Sequence, residues 1–159
     1  MTDQHVGFLR RLDNSRPAVF KVAEWLHRRG FTVKVPSTMY APDATKHTKY
    51  VDDGDILIKK PTDENWLRVE VKQINTDFDC QDNWPFPVVL VSNKKSIDRA
   101  VPVPVSYVIV NKSMTHAGIV YTKTKEKWSE KNILAKNTNN IETFYVCDPS
   151  LVKFLDLRS

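Results

Sequence analysis

Two stretches, Asp53-Gly54-Asp55-Ile56-Leu57-Ile58-Lys59-Lys60 and Trp66-Leu67-Arg68-Val69-Glu70-Val71-Lys72-Gln73, decide how this chain is read. Both are rich in branched and aromatic residues, and the polar turn Lys60–Asn65 joins them, which is the pattern of a β-hairpin. Strand side chains alternate between faces, so Leu67, Val69 and Val71 point one way and Arg68, Glu70 and Lys72 the other. A symmetric turn sets Lys59 opposite Trp66, Leu57 opposite Arg68 and Asp55 opposite Glu70. A register slipped by one residue would reverse every face.

That register brings two carboxylates together. Cβ atoms of directly opposed residues lie roughly 4.5–5.5 Å apart, where like charges repel. Such a pair calls for a cation, and hard divalent ions such as Mg²⁺ take one or two carboxylates together with substrate phosphate. Lys72 adds a third charged group on the same face. Two acids and a lysine on one polar strand face suit metal-assisted phosphodiester hydrolysis.

Asp55, fourteen intervening residues, then Glu70-Val71-Lys72 resembles the signature of the PD-(D/E)XK nuclease superfamily. The resemblance continues upstream through a helix, the Gly30-Phe31 turn, the strand Thr32–Val35 and the Ser37-Thr38 loop. That order is similar to archaeal-type Holliday junction resolvases and small phage nucleases, and it spans about Pro17 to Gln73. It implies an α/β (α+β) fold: a restriction-endonuclease-like mixed β-sheet flanked by helices. It implies Asp55, Glu70 and Lys72 as catalytic residues. Mg²⁺, with Mn²⁺ as substitute, would be held by Asp55, Glu70 and the backbone carbonyl of Val71. Glu24, on the helix that ends at Gly30, and Gln73 are supporting candidates. A homodimer acting on DNA is the arrangement of the resolvase-like relatives, and RNA is left open. The pattern calls for a long helix after the Glu-x-Lys strand, whereas Asn75–Pro87 is polar, aromatic and proline-interrupted.

The 159 residues suit one domain with a single core, and 41% hydrophobic with 27% charged residues mark a folded chain rather than a disordered one. A net charge of +5 favours an acidic partner, nucleic acid first. Cys80 and Cys147 lack CxxC spacing, and no histidine pattern suggests zinc. Residues 1–5 lack the layout of a secretory signal, and no apolar run reaches bilayer length, so the expectation is a cytoplasmic protein in a reducing compartment.

Along the chain, residues 3–13 predict a short helix, and Ser15 and Pro17 the entry of a second one stopped by Gly30. The connection 36–54 carries Lys46, His47 and Lys49 among Tyr40 and Tyr50, a composition suited to single-stranded or distorted nucleic acid. Ser37, Thr38, Lys94 and Lys95 complete the candidate nucleic-acid contacts. Strands are expected over 88–91, 105–110, 118–121 and 143–147, with short helices at 94–100, around Trp128, and over the C-terminal Leu151, Val152 and Leu155. The competing function is a module that binds nucleic acid or a partner protein on a nuclease-like scaffold without cleaving.

Overall fold

The computed structural model describes residues 3–36, 55–135 and 139–159. Helix α1 (Asp3–Arg28) leads to strand β1 (Thr32–Lys34), then β2 (Ile56–Lys59) and β3 (Leu67–Gln73). Next come β4 (Val89–Asn93), helix α2 (Lys94–Arg99), β5 (Ser106–Val110) and β6 (His116–Tyr121). The chain ends with β7 (Ser129–Ala135), β8 (Asn140–Cys147) and β9 (Lys153–Asp156). A six-stranded mixed sheet has the order β1-β2-β3-β5-β6-β9, and a three-stranded sheet the order β4-β8-β7. Among the described residues, only β3 and β5 pair in parallel; the other neighbours are antiparallel.

The expected break at Pro17 is absent, and α1 runs through it as one helix. Proline removes one ladder bond, yet its fixed φ is helical, and the stripe Ala18, Val19, Val22, Ala23, Trp25 and Leu26 is held in the core. The helix stops where expected. Gly30 takes φ +93°, and the N–H groups of Gly30 and Phe31 return to the carbonyls of His27 and Leu26, a Schellman closure.

Strand alternation divides the core. Val108 and Val110 of β5 join Val69, Val71, Ile56, Ile58 and the α1 stripe on one face of the large sheet. Tyr107 and Ile109 face the other way, into a second cluster with Phe78, Val89, Val91, Ile97, Tyr145 and Cys147 that ties the two sheets together. Because β3 and β5 are in register, with Glu70 beside Tyr107 and Lys72 beside Ile109, those two charged residues sit on the face toward the small sheet.

Two expected helices are corrected. The lysine-rich segment around Trp128 is a 3-10 turn (Thr122–Lys127) followed by β7, which pairs with β8 from Ser129–Val146 to Ala135–Asn140. Cross-strand pairing there outweighs a weak helix propensity. The C-terminal segment is a 3-10 turn (Pro149–Leu151) and then β9, paired to β6 through Lys153–Ile119, Phe154–Gly118, Leu155–Ala117 and Asp156–His116. Gly118 permits this approach, since a Cβ there would lie 2.7 Å from Val152 Cγ1. Valine is stiff at χ1 and cannot swing aside freely. Gly118→Ala is therefore expected to destabilise the fold by about 1–3 kcal/mol in a denaturant melt; an unchanged midpoint would show that β9 yields there. Among the described residues, no helix is long and apolar enough to cross a membrane.

Candidate active site

The β2–β3 hairpin has the register read from the sequence: Ile56 opposes Val69, Leu57 opposes Arg68 and Ile58 opposes Leu67. Ile56 and Val69 enter the core beneath α1, so Asp55 and Glu70, one residue further along each strand, emerge on the opposite face. Asp55 Oδ2 accepts the Val71 N–H at 2.8 Å, which fixes the carboxylate on the edge of β3. Asp55 lies close enough to Glu70 for its charge to raise the Glu70 pKa. The two acids named from spacing are thus neighbours.

Their proximity has an electrostatic cost. Burial raises the Glu70 pKa well above the ordinary carboxylate value, and the neighbouring Asp55 charge raises it further. Arg68 opposes this: its Nε lies 2.6 Å from Glu70 Oε1, with the two side chains only 14% and 25% exposed. Tyr107, beside Glu70 on β5, has its phenol pushed up to about 12 by burial and then by the Glu70 charge. Arg68 and Tyr107 are the site neighbours that spacing alone did not single out. Arg68 was already on the correct face by alternation, two residues before Glu70.

Lys72 occupies the same face but is engaged elsewhere. Its Nζ donates to the carbonyl of Leu90 on β4, and among the described residues no ion pair joins it to Asp55 or Glu70. Burial lowers its pKa to about 8, partly offset by Cys147. Cys147 itself is a free, buried thiol pushed up to about 11 by burial and by Asp148, which makes it a poor nucleophile at neutral pH. Cys80 is a free thiol at the surface.

The other candidates scatter. Glu24 is 61% exposed and pairs with Arg28 one turn on, on a helix that packs against the opposite face of the sheet from Glu70. Gln73 Nε2 donates to the carbonyls of Lys112 and Asn111, tying the end of β3 to the β5–β6 turn. Lys94 is held by Tyr145 Oη, Asp98 and Glu130 at 2.8, 3.0 and 3.1 Å, whereas Lys95 is exposed. Those bonds raise the Lys94 pKa. Ser37, Thr38, Lys46, His47 and Lys49 lie outside the described residues.

Among the described residues, no group of three or more His, Cys, Asp and Glu side chains is placed to hold a metal ion. A cation at this site would have the Asp55–Glu70 pair as its protein carboxylates and take its remaining ligands from backbone, water or substrate. A cavity of about 380 Å³ adjoins the site, and Lys72 lines its wall. A larger one, about 920 Å³, lies on the α1 face and has no acidic lining residue among the described residues. Compared with known protein families, curated proteins and solved structures, the chain matches no family model, no curated protein and no solved structure.

Proposed function

We propose that this protein is a metal-dependent nuclease that hydrolyses phosphodiester bonds of DNA, built on the PD-(D/E)XK plan. The observation that carries the reading is the placement of Asp55 beside Glu70 across adjacent strands, with Lys72 next on the same face. The order helix, three antiparallel strands, short helix, parallel strand is in keeping with a mixed restriction-endonuclease-like sheet, although α2 has six residues where that plan has a long helix and β4 precedes it.

The donor set fits Mg²⁺. Two neighbouring carboxylates, one disposed to keep its proton, form a hard site that a divalent cation would relieve of repulsion. Asp55 and Glu70 would hold the ion, with the Val71 carbonyl as a further oxygen, and the bound ion would polarise a phosphate oxygen and acidify water. The protein groups divide the remaining work. Asp55 is oriented by the Val71 N–H, Arg68 offsets the Glu70 charge, and Lys72, released from the Leu90 carbonyl, meets negative charge developing on the phosphate. The net charge of +5 gathers the polyanion.

A second reading, a nucleic-acid-binding module without catalysis, is favoured by the bond between Lys72 and Leu90. One assay separates the two. The wild-type protein is incubated with supercoiled plasmid, single-stranded DNA, branched DNA and RNA, in Mg²⁺, Mn²⁺ or EDTA. Metal-dependent nicking that disappears in Asp55→Asn is the expected result. Salt-sensitive binding with every strand intact would replace the nuclease by the module.

A further inference from the structure

We infer that the cavity beside Lys72 is a pocket for an unpaired nucleobase, so that the substrate of the proposed nuclease is single-stranded DNA or DNA with an extruded nucleotide. The inference rests on the nuclease reading for its connection to cleavage, but the pocket has its own chemistry. Its volume of about 380 Å³ lies within the range of small-ligand sites. Lys72 and Lys131 supply cations in its wall, Trp84 and Phe86 supply aromatic surface, and Asn75 and Thr76 supply polar edges. Among the described residues, none that lines it is acidic.

The aromatic wall is built rather than incidental. Trp84 Nε1 donates to the Val88 carbonyl at 3.2 Å, and its ring meets the buried Phe78 edge-on at 4.9 Å. Asn83 Oδ1 receives the N–H groups of Asp79 and Cys80, closing the preceding turn. Phe86 lies between Pro85 and Pro87, whose rings restrict the backbone, and packs edge-on to Trp84 at 5.7 Å. Nevertheless, 47% of Phe86 is exposed. Folding gains little from a large ring left half in water on a stiffened loop, whereas a base stacked there would cover it.

The combination selects the ligand. An apolar ligand without charge would leave Lys131 unused, and an inorganic anion would leave the rings unused. A nucleotide presents both an aromatic plane and a phosphate. A base can enter a walled cavity only when it is out of the double-helical stack, so duplex DNA is excluded from the pocket. The cavity shares Lys72 with the proposed catalytic face, and that shared lysine is the connection between the pocket and cleavage.

The test uses the full-length Asp55→Asn protein in EDTA. The substituted amide retains an oxygen for the Val71 N–H. A single-stranded oligonucleotide carrying 2-aminopurine is titrated by fluorescence and anisotropy, alongside the same strand annealed into a duplex. Single strand is expected to bind at least about tenfold more tightly than duplex; adding Phe86→Ala should cost roughly five- to hundredfold, and Phe86→Trp should restore binding. Lys131→Ala should lower the salt dependence of binding by about one ion. Equal affinity for both strands, or a Phe86→Ala protein with the parent's melting temperature and undiminished single-strand binding, would overturn the pocket. Wild-type cleavage in Mg²⁺ is scored separately. Cleavage insensitive to Phe86→Ala overturns the pocket and leaves the nuclease. Binding that depends on Phe86, with no cleavage in any divalent ion, supports the pocket and overturns the nuclease.

Discussion

Lys72→Met is expected to slow metal-dependent cleavage by about 10²–10³-fold and, at the same time, to raise the melting temperature. The two effects have one cause. The ammonium of Lys72 sits between the sheets with a carbonyl for a partner, and burial holds its pKa down to about 8 against an ordinary value of 10.5. A lysine with a depressed folded pKa is less stable charged in the folded protein than in the unfolded chain. The unfolded chain therefore binds more protons between pH 8 and 10.5, so wild-type stability should rise with pH across that interval and carry the full penalty below it. Methionine fills similar volume without the charge. A gain of even 1 kcal/mol would raise Tm by about 2–4 °C in a chain of this size. Loss of a cation that stabilises transition-state charge costs about 10²–10³-fold in rate. Opposite signs are the diagnostic: a structural lysine would lose stability on removal, and an idle surface lysine would change neither. Cleavage within a few-fold of wild type, with Tm raised, would remove Lys72 from the chemistry while leaving its burial explained.

The parts of this site legible in the sequence are those governed by alternation over a short distance. Val69 and Val71 against Arg68 and Glu70 specified the faces, and the six-residue Lys60–Asn65 turn specified the register that the structure has. Gly30 as a helix stop was legible because few other residues accept φ +93°. What alternation cannot supply is the partner a side chain finds across the fold. Lys72 stands on the expected face, but its ammonium was drawn to a β4 carbonyl eighteen residues away in sequence. Lys94, read as a free cation for phosphate, meets Asp98 on its own helix, as helical spacing allows, but also Tyr145 and Glu130 from strands that local pattern did not bring near it. The segments mistaken for helices fail for the same reason. Ser129–Ala135 and Lys153–Asp156 have mixed local preferences, and each is strand because it pairs with a neighbour distant from it in local pattern, β8 and β6 respectively.

Without metal, the protein is expected to lose stability as pH rises from about 4.5, and Mg²⁺ should return it. Glu70 in the folded state holds its proton to a higher pH than its ordinary value of 4.5, chiefly through burial and then through Asp55. In the interval between those values the folded protein binds more protons than the unfolded chain, so stability falls with rising pH. Lys72 contributes no slope there, because below about pH 8 it is charged in both states. Divalent binding needs the ionised pair and competes with the proton, so its stabilisation should grow over the same range. At a Mg²⁺ concentration one hundred times its Kd, linkage gives about 2.7 kcal/mol, or about 5–10 °C in Tm. Glu70→Gln should remove the part of the metal-free slope that Glu70 supplies and lose most of the Mg²⁺ gain, since only one carboxylate of the pair remains. The measurement is a set of melts in EDTA and in Mg²⁺ from pH 4.5 to 8 on both proteins. A flat EDTA series with no response to Mg²⁺, Mn²⁺ or Ca²⁺ would mean that Arg68 alone compensates the acids. The acids would then belong to a structural ion cluster, in which Arg68 pairs with Glu70 and no divalent cation is held.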